Sequence, residues 1–311
     1  MTQYTGIIPP IVTPLNADGT VNFTDLDALV DHLIDAGCAG LFPMGSTGQV
    51  AYLTDADRIA IVKAVSKRAA GRVPVLVGAI DLTAARIIES AKALIEAGAD
   101  AIVATAPVYA INNDAEVADH FRMIAAAISK PLWAYDIPVR VKTKLSPAML
   151  VELGREGVIV GVKDSSGDDV SFRRLIAMNN AAGKPLSLFT GHEVVCDAIG
   201  LMGADGVVPG LANVDAAAYV RLWKAAQAGD FKAAVAEQEY LNALFEIVFQ
   251  ATGRSGDAAG VGAFKIAMHE IGLLSTPVMS LPVKPFDAET DEKVRAIVRG
   301  LGLTKAKARG L

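Results

Sequence analysis

Residues 96–104 read EAGADAIVA, a stretch that joins the end of a helix to the start of a strand. The glycine stops the helical spacing of the preceding apolar residues, and AIVA has the character of a buried strand. The same order returns in DAGCAGLFP at residues 35–43 and in LMGADGVVP at residues 201–209. Glycine adopts the left-handed conformation that ends a helix without steric cost. We therefore predict helix-ending, left-handed glycines at Gly37, Gly98 and Gly203.

Short apolar runs recur along the whole chain, with amphipathic segments such as FTDLDALVDHLIDAG between them. There are eight runs, at residues 7–15, 40–47, 73–80, 101–108, 131–138, 158–166, 186–193 and 206–214. Buried strands alternating with helices predict parallel pairing with both sheet faces covered. Eight such units closing on themselves form a (β/α)₈ TIM barrel, which is the fold class we predict. An open doubly wound sheet is the alternative, but no G-x-G-x-x-G follows the first run.

Capping residues predict where helices start, and the point at which strand patterns stop predicts a division of the chain into two parts. Thr54, Thr83 and Ser146 each stand where a helical pattern begins, and their side chains suit the N-cap position. Strand signals stop after about residue 225, and the remaining patterns are mostly helical. We predict that residues 1–225 form the barrel and carry the active site, and that residues 226–311 form a C-terminal helical domain.

Composition narrows the class of protein. The 311 residues are 52% hydrophobic and 20% charged, enough for a large core, and the net charge of −5 with no basic stripe argues against nucleic-acid binding. No apolar run is long enough to span a membrane, and the N-terminal residues lack the charge pattern of a signal peptide. Cys38 and Cys196 have no second Cys or His at ligand spacing, which argues against a disulfide framework or a zinc site. We expect a cytoplasmic protein.

A lysine at the end of a buried run raises the question of function. Lys163 ends VIVGVK, and burying an ammonium group costs free energy unless the charge is paired or lost. Most strand-end lysines extend their head group to solvent, whereas a neutral buried amine is a nucleophile. In a (β/α)₈ barrel the carboxyl ends of the strands share one face, which holds the chemistry. Polar residues at the other strand ends favour a nucleophilic role for Lys163 over a solvent-exposed one. They are Ser46, Thr47, Tyr109, Tyr135 and Arg140.

Four motifs resemble a known superfamily. GSTGQ, AYDIPVR, GVKDSSGD and GADGVVPGLANV are similar to the motifs of the dihydrodipicolinate synthase / N-acetylneuraminate lyase superfamily of class I, Schiff-base pyruvate aldolases. The resemblance covers nearly the whole chain, including the helical C-terminal extension. It implies that Lys163 forms an imine with pyruvate, so that the covalent imine serves the reaction and no cofactor or metal is needed. It also implies that Tyr135 donates and accepts protons in a relay with Thr47 and Tyr109.

The resemblance assigns binding roles as well. Ser46 and Thr47 would hold the pyruvate carboxylate, and the backbone of Val208 would approach pyruvate. Tyr109 would reach into the site of a neighbouring subunit, in a homotetramer built from tight dimers. Arg140 matches the arginine that dihydrodipicolinate synthases use on the carboxylate of aspartate semialdehyde, and a guanidinium suits a carboxylate by its bidentate geometry. The resemblance therefore favours a lyase of lysine biosynthesis that condenses pyruvate with aspartate semialdehyde.

The sequence also departs from the synthase pattern, which leaves alternatives open. Ser46 stands in place of the usual threonine, Gln49 in place of glutamate, Val108 in place of tyrosine and Asp136 in place of asparagine, and GHE at residues 191–193 replaces a GDD-type motif. An aldolase or dehydratase of 2-keto-3-deoxy sugar acids, or an N-acetylneuraminate lyase-like enzyme, is the alternative within the superfamily. Sugar hydroxyls would then find polar partners in GHE. The alternative of another class is a non-catalytic pyruvate-binding barrel.

Overall fold

The protein folds around a parallel sheet of seven strands. The structure, a computed structural model, describes residues 4–311. The strands are β1 Gly6–Ile7, β2 Leu76–Gly78, β3 Ala101–Thr105, β4 Leu132–Asp136, β5 Gly161–Asp164, β6 Ser187–Thr190 and β7 Gly206–Val207. Their order is β1-β7-β6-β5-β4-β3-β2, and every pairing is parallel. The predicted α/β fold with a parallel sheet is confirmed.

The predicted run at residues 40–47 does not form a regular strand, and eight strands are corrected to seven. Only Leu41 makes a bridge, parallel to Val75. The segment is nevertheless bonded on both sides: the Phe42 N–H donates to the carbonyl of Pro9, and the Leu41 N–H donates to the carbonyl of Pro74. Proline cannot donate to a ladder, so these neighbouring prolines interrupt the repeating pattern that defines a strand.

Helices cover the sheet and form the C-terminal part. They are α1 Phe23–Asp35, α2 Asp55–Ala69, α3 Ala84–Glu96, α4 Asp114–Ala127, α5 Pro138–Val141, α6 Pro147–Arg155, α7 Asp169–Ala181, α8 Cys196–Met202, α9 Ala216–Gln227, α10 Phe231–Phe245, α11 Gly256–Glu270, α12 Ala288–Gly300 and α13 Lys305–Ala308. Short 3₁₀ helices occupy Val50–Tyr52, Glu193–Val195, Gly210–Asn213 and Glu246–Gln250. Within residues 4–311, none of the helices is both long and apolar enough to cross a membrane.

The predicted helix boundaries are confirmed by local hydrogen bonds and dihedral angles. Thr54, Thr83 and Ser146 are the N-caps of α2, α3 and α6, and each side chain accepts a hydrogen bond from a backbone N–H in the first turn. These bonds satisfy N–H groups that have no partner inside the helix. The three predicted glycines have positive φ angles, which are 97° at Gly37, 112° at Gly98 and 90° at Gly203.

The interior is fully buried along β2 to β7, as expected for a parallel sheet covered on both faces. Aromatic rings fill its centre, where Trp133 meets Phe189 edge to face with 5.3 Å between ring centroids. Glycines make room for these rings. A Cβ atom at Gly161 would lie 2.7 Å from Trp133, and one at Gly206 would lie 2.2 Å from Phe189. This layer forms the floor beneath the polar residues at the strand ends.

The C-terminal helices pack onto the strand-containing part rather than standing apart. Helix α11 contacts the 3₁₀ helix Gly210–Asn213 that follows β7. Thr276 donates from its hydroxyl to the carbonyl of Leu15, and the backbone N–H of Ser275 donates to the carboxylate of Asp25. The predicted division after residue 225 falls two residues before the end of α9, at Gln227, and it stays a prediction.

Candidate active site

Lys163 and Tyr135 lie side by side on adjacent strands. They are paired in register between β4 and β5, and their exposed fractions are only 5% and 3%. The Nζ atom of Lys163 lies 4.3 Å from the ring centroid of Tyr135 and 4.7 Å from that of Phe42. Lys163 takes part in none of the ion pairs formed within residues 4–311. An amine held against aromatic faces and free of any salt bridge is placed to attack a carbonyl carbon once it is unprotonated.

A glycine allows its backbone to pack closely against Lys163 and Ser165. A Cβ atom at Gly191, just after β6, would lie 3.4 Å from the Cε atom of Lys163 and 2.1 Å from the Oγ atom of Ser165. Val208 lies on the other side, where it lines a small cavity of about 10 Å³ together with Lys163 and Phe42. The Val208 N–H donates to the carbonyl of Thr190. Val208 thus lies next to the lysine, and the implied approach of its backbone to pyruvate stays a prediction.

A buried charge cluster aligns the strands that carry this pair. Asp136 and Asp164 follow Tyr135 and Lys163 directly and are also paired in register. The Nζ atom of Lys144 donates to a carboxylate oxygen of Asp136 and lies 3.5 Å from one of Asp164. Burial, together with the charge of Asp164, raises the pKa of Asp136 to about 6, although Lys144 acts in the opposite direction. Because it joins β4 to β5, the cluster holds the relative height of the two site residues. Sequence reasoning missed Lys144.

The GSTG loop at residues 45–48 presents unpaired donors. In the described part of the chain, neither the backbone N–H groups nor the hydroxyls of Ser46 and Thr47 form hydrogen bonds. Two non-glycine residues with positive φ flank the loop, Met44 at 62° and Gln49 at 58°. The Thr13 hydroxyl anchors it by donating to the carbonyl of Gly48 at 2.7 Å. Such a loop of backbone donors is suited to bind a carboxylate.

A second buried lysine is hydrogen-bonded to Gln49, the residue that follows this loop. Lys265 of α11 is 0% exposed, and its Nζ atom donates to the Oε1 atom of Gln49 at 2.9 Å and to the carbonyl of Val278 at 2.8 Å. Burial lowers the pKa of Lys265 to about 7. The Nε2 atom of Gln49 is buried and has no partner within residues 4–311. Sequence reasoning missed Lys265, although it is the one charged residue in the apolar run at residues 261–268 and shares a helix face with Val261 and Met268.

Arg140 reaches the mouth of the site but is already bound. A cavity of about 200 Å³ is lined by Ser46, Tyr52, Thr105, Val108, Arg140 and Asp257, among others. Asp257, from the first turn of α11, forms two hydrogen bonds with the guanidinium of Arg140, one of them 2.9 Å long. The Tyr52 hydroxyl donates to the same carboxylate at 3.3 Å. Sequence reasoning predicted Arg140 at this rim and missed Asp257.

The GHE segment is engaged in internal contacts. The Glu193 carboxylate accepts hydrogen bonds from the backbone N–H groups of Gly210 at 2.6 Å and Leu211 at 2.9 Å. Burial raises the pKa of Glu193 to about 7, although these two bonds act to lower it. The Nδ1 atom of His192 lies 3.1 Å from both carboxylate oxygens of Asp169. The Glu193 carboxylate is therefore engaged on two backbone donors, whereas the Nε2 atom of His192 has no hydrogen-bond partner within residues 4–311.

Thr47 and Tyr109 were both predicted as site residues, and the structure places them differently. Thr47 is near Glu193, since a Cβ atom at Gly210 would lie 3.5 Å from the Thr47 hydroxyl and 2.8 Å from a Glu193 oxygen. Tyr109 is 93% exposed, with a φ of 75°, and it does not line the cavity that contains its neighbour Val108. A single chain thus does not bring Tyr109 to its own site. No group of three or more His, Cys, Asp or Glu residues in the described chain is placed to hold a metal ion.

Comparisons with known proteins identify relatives of the whole chain. The chain is 29% identical over 284 residues to the 4-hydroxy-tetrahydrodipicolinate synthase of Shewanella pealeana, covering 91% of this chain and 93% of the relative. It is 33% identical over 247 residues to the enzyme of the same name from Laribacter hongkongensis, covering 79% and 84%.

Solved structures are similar as well. A prophage protein of the dihydrodipicolinic acid synthase family from E. coli, in complex with pyruvate, is 28% identical with a TM-score of 0.90, covering 97% of this chain and 100% of its own. The dihydrodipicolinate synthase of Bacteroides thetaiotaomicron is 27% identical with a TM-score of 0.91, covering 96% and 100%. The model of the dihydrodipicolinate synthetase family matches residues 3–301. With a buried lysine and tyrosine in register above that shared fold, the chain belongs to the dihydrodipicolinate synthetase family.

Proposed function

We propose that this protein is a pyruvate-dependent lyase of the class I aldolase type that acts as a 4-hydroxy-tetrahydrodipicolinate synthase. The observation that carries the proposal is the pairing of Lys163 with Tyr135 on adjacent strands, with the Lys163 amine 4.3 Å from the tyrosine ring centroid. The unpaired N–H groups of the GSTG loop supply the complementary site for the pyruvate carboxylate. No cofactor is needed, because the imine itself accepts electrons.

The proposed reaction runs through covalent steps on Lys163. Its amine attacks the keto carbon of pyruvate, and loss of water gives the imine. The protonated imine withdraws electrons, so a proton leaves the pyruvate methyl group and an enamine forms. The enamine carbon then bonds to the aldehyde carbon of aspartate semialdehyde, whose oxygen takes up a proton. Finally, the amine of that substrate attacks the imine carbon, which closes the ring and releases Lys163; one water is released in total. Tyr135 carries protons to and from these atoms.

The proton relay and the quaternary structure belong to the same proposal. Tyr109 projects away from its own chain, as a residue that completes the site of a neighbour would do. A homotetramer of tight dimers, located in the cytoplasm, fits this arrangement. The segment around Leu41, bonded to the chain on both sides, closes the sheet into an eight-membered (β/α)₈ barrel, with residues 226–311 as its helical domain. Closure matters because it places Phe42 against Lys163.

The sugar-acid alternative has weaker support. It requires GHE to bind hydroxyls. The Nε2 atom of His192 has no partner within residues 4–311, but the Glu193 carboxylate holds the N–H groups of Gly210 and Leu211. Breaking these bonds would leave buried donors unpaired, at a cost of about 1–3 kcal/mol each. Aspartate semialdehyde needs a cation at the mouth, which Arg140 provides when its ion pair with Asp257 opens. A sugar acid also carries a carboxylate, so Arg140 by itself does not separate the two substrates.

The decisive experiment is trapping with borohydride. Incubation with pyruvate and borohydride should raise the intact mass by one reduced pyruvate. Lys163→Ala should abolish the increase, while Lys232→Ala, which removes an exposed lysine of α10, should not. An adduct that persists in Lys163→Ala would refute the assignment, and no adduct in the wild type would favour a non-catalytic barrel. Turnover with pyruvate and aspartate semialdehyde, compared with glyceraldehyde and N-acetylmannosamine, then tests the second substrate.

A further inference from the structure

The guanidinium of Arg140 is occupied by a carboxylate of the same chain. Asp257 accepts one hydrogen bond from Nη1 at 2.9 Å and another from Nη2, so both oxygens face the fork of the arginine. This is the bidentate arrangement that a substrate carboxylate would adopt. The two residues are 117 positions apart, and α11 brings the acid to the arginine from the C-terminal part of the chain.

Three local features hold Asp257 in this place. Ser255 caps α11, which puts Asp257 in the first turn, where the helix dipole stabilises a negative charge. The Tyr52 hydroxyl donates to the Oδ2 atom of Asp257 at 3.3 Å. The side chain of Asp257 is 18% exposed and that of Arg140 is 43% exposed, so the pair lies at the rim and remains within reach of solvent.

The pair changes the electrostatics of the cavity that it lines. Arg140 and Asp257 face the same cavity of about 200 Å³ as Ser46, and together they carry no net charge. An anionic aldehyde that enters this cavity meets Arg140 with both guanidinium donors already bound to Asp257, and the Asp257 carboxylate repels it. To bind Arg140 in the same way, the substrate has to displace Asp257.

We propose that Asp257 is a specificity-determining residue that occupies Arg140 as an internal competitor for the carboxylate of the second substrate. This inference rests on the proposed function. Each encounter with the anionic aldehyde exchanges one carboxylate for another on the same guanidinium. The ion pair therefore raises the KM for that substrate and leaves pyruvate binding, which uses the GSTG loop, unaffected. A half-exposed ion pair shifts such an equilibrium by roughly two- to tenfold.

The test is Asp257→Asn, which keeps the size of the side chain and removes its charge. We expect the KM for aspartate semialdehyde to fall about three- to tenfold, with kcat and the KM for pyruvate within about twofold of the wild type. Asp291→Asn, a matched loss of charge on the distant α12, should change none of these values. Tyr52→Phe removes one hydrogen bond to Asp257 and should lower the same KM by a smaller factor, which preserves the test should Asp257→Asn fold poorly.

The possible results separate this inference from the proposed function. A KM for aspartate semialdehyde that is unchanged or raised in Asp257→Asn, in an otherwise active enzyme, would overturn the role of Asp257 alone. A wild type that forms the pyruvate adduct but does not consume aspartate semialdehyde would overturn both the second substrate and this inference. Loss of the pyruvate adduct in Asp257→Asn would show that the residue supports the site as a whole, which also contradicts a role confined to the second substrate.

Discussion

Two lysines are buried in this protein, and their surroundings assign them different tasks. Lys163 is 5% exposed and lies against the rings of Tyr135 and Phe42, and it lines a small cavity together with Val208. Lys265 is 0% exposed and donates to two carbonyl oxygens, one of them in Gln49. Neither forms an ion pair within residues 4–311, although the charge of Lys163 acts to lower the pKa of Glu193. Both lysines are thus buried. They differ in access to a substrate, which makes Lys163 the nucleophile and leaves Lys265 with a structural role.

The largest difference between the two lysines should appear in turnover. Lys163→Ala removes the nucleophile, and we expect kcat to fall at least about a thousandfold, because no other group can form the imine. Lys265→Met should retain measurable turnover, since the GSTG loop is weakened but still present. Steady-state assays with pyruvate and aspartate semialdehyde measure both. Equal losses of kcat in the two variants would contradict the assignment of different roles to Lys163 and Lys265.

The second largest loss of turnover is expected from a change at Tyr135, which contacts Lys163 but not Lys265. Tyr135→Phe keeps the ring that packs edge to face on Phe42 and removes only the hydroxyl. Loss of a positioned proton carrier typically costs about 10²–10⁴-fold in rate, so we expect kcat to fall in this range with the thermal midpoint nearly unchanged. A reduction of less than about threefold would make Tyr135 a packing residue.

The dependence of the unfolding free energy on pH should report the protonation of Lys265. Its pKa is lowered by burial to about 7 in the folded protein, against an ordinary value of 10.5. The stability it confers is therefore present above pH 10.5 and is lost as pH falls towards 7, because the unfolded chain binds the proton first. We expect the unfolding free energy of the wild type, relative to Lys265→Met, to rise by roughly 2–4 kcal/mol from pH 7 to pH 9.5. Urea denaturation at both values measures it, and parallel pH profiles would contradict the prediction.

The smallest expected effect comes from giving Lys265 an acidic partner. Gln49→Glu places a carboxylate where Oε1 now accepts the lysine, and it removes the unpartnered Nε2 donor. A nearby negative charge favours the ammonium form, so the rise in stability between pH 7 and 9.5 should shrink by about 1–2 kcal/mol. Gln227→Glu, on an exposed position of α9, serves as the control. A pH profile identical to that of the wild type would show that residue 49 does not set the protonation of Lys265.

Local sequence was sufficient for many features. The caps at Thr54, Thr83 and Ser146 and the glycines after α1 and α3 depend on a few neighbouring residues, and the structure confirms them. The parallel sheet followed from the alternation of apolar runs and helices. The closeness of Lys163 and Tyr135 also followed, because carboxyl ends of parallel strands meet at one edge.

Only the tertiary structure decided which long-range partners meet at the site. The run at residues 40–47 lacks regular strand character; Pro43 within it is a local sign of this, whereas Pro9 and Pro74 are brought beside it only by the fold. Lys265 reaches Gln49 across 216 residues, and Asp257 reaches Arg140 across 117. Apolar spacing and capping residues are local signals that set elements and their faces. The pairing of distant polar groups depends instead on how α11 packs over the strand ends, and this geometry arises only when the whole core is assembled.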